Sequence, residues 1–158
     1  MGVITYQSED ASPVPAPRLF KALVLESDQF LPKIIPDVVK SIELVEGNGG
    51  PGSIKKLTYV EDGKLITVKH KIEEVDKVNL KTSYTVIEGD ILQDKVEKIS
   101  YELTYVPSPN GGSVCKSVTK IYTKVDFEVP EEQFKAGKER SRVILKPVED
   151  YLLANPNA

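Results

Sequence analysis

A chain of 158 residues suits a single domain at roughly 150 residues each, with no room for a second core of ordinary size. Its 21 Lys and Arg against 24 Asp and Glu leave a net charge of −3, which argues against a duplex nucleic-acid binder, since such proteins carry a basic surplus. One cysteine, Cys115, and one histidine, His70, exclude an internal disulfide framework, a CxxC site and a histidine-cluster metal centre.

In chain order, alternation at Val3–Asp10 predicts a first strand. Prolines then open a helix over Pro15–Leu25, with Leu19, Phe20, Leu23 and Val24 at helical spacing. Ser27 or Asp28 is expected to cap a second short helix that Pro36 ends. Alternating runs follow at Ser41–Glu46, Ser53–Val60, Leu65–Glu73, Leu80–Val86, Val96–Val106 and Ser113–Val125. Between them stand turn signals: the run from Gly47 to Gly52, Asp62-Gly63, Glu88-Gly89-Asp90 and Pro109-Asn110-Gly111-Gly112. Seven strands joined by short turns should pair antiparallel. A third helix opens at Pro130, sets Glu131 and Glu132 against its N-terminal dipole, and runs to about Leu153. At roughly 36 Å it matches a ten-residue strand of about 33 Å, so it can lie along a curved sheet. The fold class is α+β. No span approaches ~18 apolar residues and the N-terminus lacks the basic and apolar regions of a signal peptide, so a cytoplasmic location is expected, with no membrane partner.

Two faces of this fold are mixed in character. The stripe Phe134, Lys138, Ser141, Leu145, Val148, Leu152 is apolar only in its second half, and Pro147 should bend the helix near the junction. On the strands, Tyr6, Tyr59, Tyr84 and Tyr101 fall on inward faces beside Thr82. Inward phenols and a lysine are costly in a dry core. A hollow between sheet and helix, filled by water or a ligand, resolves the conflict; the alternative is that the phenols bond neighbouring backbone or sit at strand ends.

The glycine run Gly47-Asn48-Gly49-Gly50-Pro51-Gly52 satisfies GxGxxG, but a strand follows where the dinucleotide fingerprint needs a helix. It reads as a stiffened hairpin, with a phosphate nest of backbone N–H groups as the alternative. His70 points inward with Val68 and Ile72, as a structural or pocket-lining ring, and Cys115 reads as an inert strand residue. Lys55 and Lys138 fall where their neighbours turn inward, and either can snorkel at a cavity mouth or pair with an acidic ligand. Glu97, on the Tyr101 face, Glu149 and Tyr151 are a conceivable acid/base group, but nothing in their spacing brings the three together.

The chain resembles the intracellular class-ten pathogenesis-related proteins of plants, the family of the major birch pollen allergen. The likeness rests on Met1-Gly2-Val3, Pro17-Arg18-Leu19-Phe20-Lys21-Ala22, the loop from Glu46 to Lys56, Tyr84, Ile87-Glu88-Gly89-Asp90, Glu97-Lys98-Ile99-Ser100 and Tyr151-Leu152-Leu153-Ala154. The resemblance implies a seven-stranded antiparallel sheet gripping a long C-terminal helix, two short helices in a V, and a large internal cavity for amphiphilic molecules such as flavonoids, cytokinins, brassinosteroids and fatty acids. The positions that line the family's cavity correspond to Tyr6, Leu23, Val39, Lys55, Leu57, Tyr59, His70, Thr82, Tyr84, Tyr101, Leu103, Lys138 and Ile144. Some relatives bind a cation through backbone carbonyls, at positions that fall here on Pro32, Ile35 and Val38.

Three function readings follow. The first is a monomeric, cofactor-free binding and storage protein for an amphiphilic plant metabolite, tied to defence. The second is a weak ribonuclease, often claimed for the family, using Glu97, Glu149 and Tyr151. Its physical case is thin, because metal-free RNA cleavage wants an acid and base matched near neutral pH. The third is a hormone receptor; the abscisic-acid receptors of this fold carry a Ser-Gly-Leu-Pro-Ala gate, and Gly89-Asp90-Ile91-Leu92 stands in that region here.

Overall fold

The computed structural model describes residues 2–89, 92, 95–124 and 131–156, with the side chains of 131–138, 140 and 141 left aside. The seven strands are β1 (Gly2–Ser12), β2 (Val39–Glu46), β3 (Ile54–Glu61), β4 (Lys64–Asp76), β5 (Lys81–Gly89), β6 (Val96–Pro107) and β7 (Ser113–Thr123). They form one sheet in the order β1-β7-β6-β5-β4-β3-β2, every pair antiparallel. Six strands follow in sequence because short turns join them. The β3–β4 turn is Asp62-Gly63, both with positive φ, the geometry whose twist matches the flanking strands. Only β1 is out of order, pairing with β7 from Gly2↔Thr123 to Ser12↔Ser113. Register shifts in β2, β4 and at the start of β6 mark bulges, which bend long strands into a curved sheet.

The helices are α1 (Ala16–Phe20), α2 (Ser27–Ile34) and α3 (Glu131–Ala154). Between α1 and α2 the chain makes a π-helical turn over Lys21–Leu25, closed by Glu26 N–H donating to the Lys21 carbonyl at 2.8 Å. Helical spacing alone does not separate these turns. The expected side-chain cap on α2 is absent: Ser27 is its first residue, with Oγ donating back to the Val24 carbonyl, and the Asp28 carboxylate accepts from Lys55 instead. Both residues lie inside the first turn, past the N-cap position that Glu26 holds.

Two hydrophobic cores result. The larger joins Val14, Leu19, Phe20, Leu31, Ile35, Val39 and Tyr105 to Val148 and Leu152 of α3, with Phe20 edge-on to Tyr105 at 5.8 Å. Half of the α3 stripe therefore packs as its apolar character requires. Arg18 closes the helix end, donating from Nη2 to the carbonyls of Leu152 and Asn155 at 2.8 Å each. The last turn of α3 carries no basic residue, so a cation from α1 meets its C-terminal dipole. The second core joins Val68, Val86, Ile99 and Ile121 of the sheet to Leu92, which lies between β5 and β6.

Candidate functional site

The inner face of the sheet between these cores is aromatic and polar. Strand register sets Lys55 beside His70, His70 beside Val86, and Tyr84 beside Tyr101, while Thr119 stands opposite both Tyr101 and Tyr6. The rings of His70 and Tyr84 stack at 4.6 Å and 21°, and those of Tyr84 and Tyr101 at 5.1 Å and 26°. Burial, with the Lys55 charge as a second cause, pushes the His70 pKa down to about 4, so the ring is neutral at physiological pH. Burial likewise raises the Tyr84 phenol, helped by Tyr101 and Cys115. Both residues are surrounded deeply enough for these shifts, and both still keep accessible surface.

The residues expected at the site divide between the two cores. Leu23, Leu103 and Ile144 pack on the larger core, and Tyr6, Leu57, Tyr59 and Tyr101 on the smaller. The row from Lys55 to Tyr101 lies on the sheet face that both share. Val39 is only 2% exposed within the larger core, and the buried Thr82 hydroxyl donates to the Glu74 carbonyl at 3.1 Å. Each is thus engaged by the protein itself. The Lys138 side chain lies outside the described residues.

Lys55 forms an ion pair that spacing gave no sign of. Its Nζ donates to Asp28 Oδ1 at 2.7 Å, across 27 positions of sequence, and ties β3 to α2. Asp28 reads as a helix cap from its neighbours, so nothing local announced its role.

Other expectations are altered by geometry. Glu97 does not share the Tyr101 face: a bulge between Val96 and Lys98 absorbs it, leaving it exposed while Val96 and Ile99 turn to the core. It stands eight residues before Tyr105, roughly 26 Å along β6 from the core that holds Val148. Tyr151 packs edge-on to Phe30 at 5.5 Å. Partial burial raises the Glu149 carboxyl, against Lys146 and Arg142 on its own helix. The structure does not assemble these three into one acid/base site.

The glycine loop is a hairpin in which the N–H groups of Gly49, Gly50, Gly52 and Ser53 are committed. Gly49 N–H donates to Ser53 Oγ, Gly50 N–H to Asn48 Oδ1, Gly52 N–H to the Ile72 carbonyl and Ser53 N–H to the Gly50 carbonyl. A phosphate nest needs those donors free. Of the carbonyls weighed for a cation, that of Ile35 already accepts from Val38 and Val39, and that of Val38 from Val60. Burial pushes the Cys115 thiol up to about 11, which fits an inert residue.

With this geometry in hand, comparison with known proteins is decisive. The profile described as "Pathogenesis-related protein Bet v 1 family" matches residues 1–155. The chain belongs to that family. Among its Bet v 1 relatives, the major strawberry allergen Fra a 1.04 of Fragaria ananassa is 54% identical over 157 residues, covering 99% of this chain and 98% of its own. The major allergen Pru av 1 of Prunus avium is 52% identical over 158 residues, covering 100% and 99%. The crystal structure of Ara h 8.0201 matches with a TM-score of 0.86 at 42% identity, over 98% of this chain and all of that one. The Bet v 1 fold is thus the seven-stranded sheet, long C-terminal helix and two short helices described above. No helix among the described residues is long and apolar enough to cross a membrane.

Proposed function

We propose that this Bet v 1 family member binds an amphiphilic small molecule between the inner face of its sheet and α3. The observation that carries this reading is the His70–Tyr84–Tyr101 stack, set deep in the protein between two separate cores and yet retaining accessible surface. Side chains enclosed by protein but still accessible are those that face an interior space. A polar lining in such a space is stable when water or a guest supplies hydrogen bonds.

The chemistry follows from the lining. Leu23, Leu57, Leu103 and Ile144 remove apolar surface of a guest from water at ~25 cal/mol per Å², before ordering costs. The Tyr84 and Tyr101 hydroxyls and the neutral His70 ring orient its polar groups. Tyr84, stacked on both faces, meets the guest with its edge and hydroxyl. Flavonoids, cytokinins, brassinosteroids and fatty acids are the classes proposed, held in a cytoplasmic monomer that stores or carries them in defence. No cofactor enters this reading.

Titration with a hydrophobic fluorescent probe, followed by displacement with a flavonoid and a cytokinin, tests it. Saturable uptake at micromolar concentration with displacement is expected. A folded sample that takes up no probe overturns the proposal.

A further inference from the structure

Resting on the reading just given, we infer that Asp28 is an internal counter-anion that a ligand carboxylate must displace from Lys55, so that this ion pair sets the site's preference between anionic and neutral amphiphiles. The two partners differ in their access to water. The Lys55 side chain is 16% exposed and that of Asp28 is 35% exposed, so the pair separates most easily by Asp28 turning outward and rehydrating. Lys55, the more buried partner, is then left to pair with another anion. Ser27 Oγ, 3.3 Å from Asp28 Oδ1, is the other polar group on that oxygen and is itself half-buried.

The position suits arrival of a guest. Lys55 is flanked in register by His70 on one side and Leu44 on the other. Leu44 lies on β2, the edge strand of the sheet, and is 47% exposed although it shares the inward row of Lys55. The interior row is therefore open to solvent at this edge, where α2 reaches across through Asp28. A carboxylate entering here meets an apolar side chain for its body and a lysine for its charge. His70 is neutral and adds no charge of its own, so Lys55 and Asp28 set the balance at this end of the row.

Competition has a directional consequence that a merely structural ion pair lacks. Removing Asp28 frees Lys55 and tightens binding of anions, whereas removing Lys55 leaves Asp28 to repel them. The matched probes are cis-parinaric acid and its methyl ester, which share one fluorescent chain and differ in charge. With Asp28→Asn, the acid is expected to bind about five- to tenfold tighter and the ester within twofold of wild type, the scale of one net hydrogen bond. With Lys55→Met, the acid weakens about tenfold and the ester again stays within twofold. Thermal melts of each variant confirm folding, and Asp28→Ser, which also removes the carboxylate, takes the place of Asp28→Asn should that variant not fold. Should acid and ester shift together, or the acid ignore both substitutions while the ester binds, the competition is overturned and the pocket stands. Failure of both probes in folded wild type removes the pocket and the competition with it.

Discussion

His70 shows how one side chain couples site and stability. Its neutral ring is stacked on Tyr84 and faces the Lys55 charge, and burial followed by that charge lowers its pKa from 6.5 to about 4. Above pH 6.5 both folded and unfolded chains carry a neutral ring, and the stabilising difference is fully present. As the pH falls toward 4 the unfolded chain takes up a proton that the folded one refuses, so stability is lost through that window, by up to about 3 kcal/mol. His70→Gln is expected to flatten this part of the profile, seen as a smaller fall in Tm between pH 7 and pH 4. At this scale the sequence was informative about direction: alternation turned His70, Tyr84 and Tyr101 inward. It was silent on Asp28, because an ion pair between residues 27 positions apart has no local signature.

Among the elements, the glycine hairpin between β2 and β3 distinguishes two glycines by what surrounds them. Gly47 has φ +87°, and a Cβ there would overlap Ser53 Oγ and come within 2.9 Å of Ser53 Cα. Gly49 has φ +99°, but a Cβ there meets nothing within 4 Å. Gly47→Ala should therefore cost more than Gly49→Ala, about 3 kcal/mol against about 1–2 kcal/mol, as denaturant melts will measure. Ser53 is buried and accepts from Gly49 N–H, so the clash falls on a side chain that the loop itself uses. Turn residues made this hairpin readable in advance. Bulges were not readable: strict alternation set Glu97 beside Tyr101, and the pairing of β6 with β7 moved it outward. An extra residue in one strand is defined only against its partner. The π-helical turn after α1 escaped for a similar reason, since its apolar spacing is that of an ordinary helix.

Across the whole molecule, the two cores draw on different parts of the fold, one on α1, α2, α3 and one end of the sheet, the other on Leu92 and strands β1 and β3 to β7. Phe20→Ala should cost about 3–5 kcal/mol and Val86→Ala roughly 1–3 kcal/mol. Since the residues belong to separate clusters, the double variant should equal the sum within about 0.5 kcal/mol; a larger coupling would show that the cores are continuous. The sequence by itself determined the seven strands, the three helices, the antiparallel pairing and, Glu97 apart, the inward direction of the strand residues at the candidate site. Those features follow from the twofold and 3.6-fold periods and from turn chemistry, all of which act over a few residues. Tertiary structure decided the pairing of Asp28 with Lys55, the capping of α3 by Arg18, the separation of Glu97 from Glu149 and the division of the interior into two cores. Each depends on where distant segments come to lie, and that is fixed by the curvature and register of the assembled sheet.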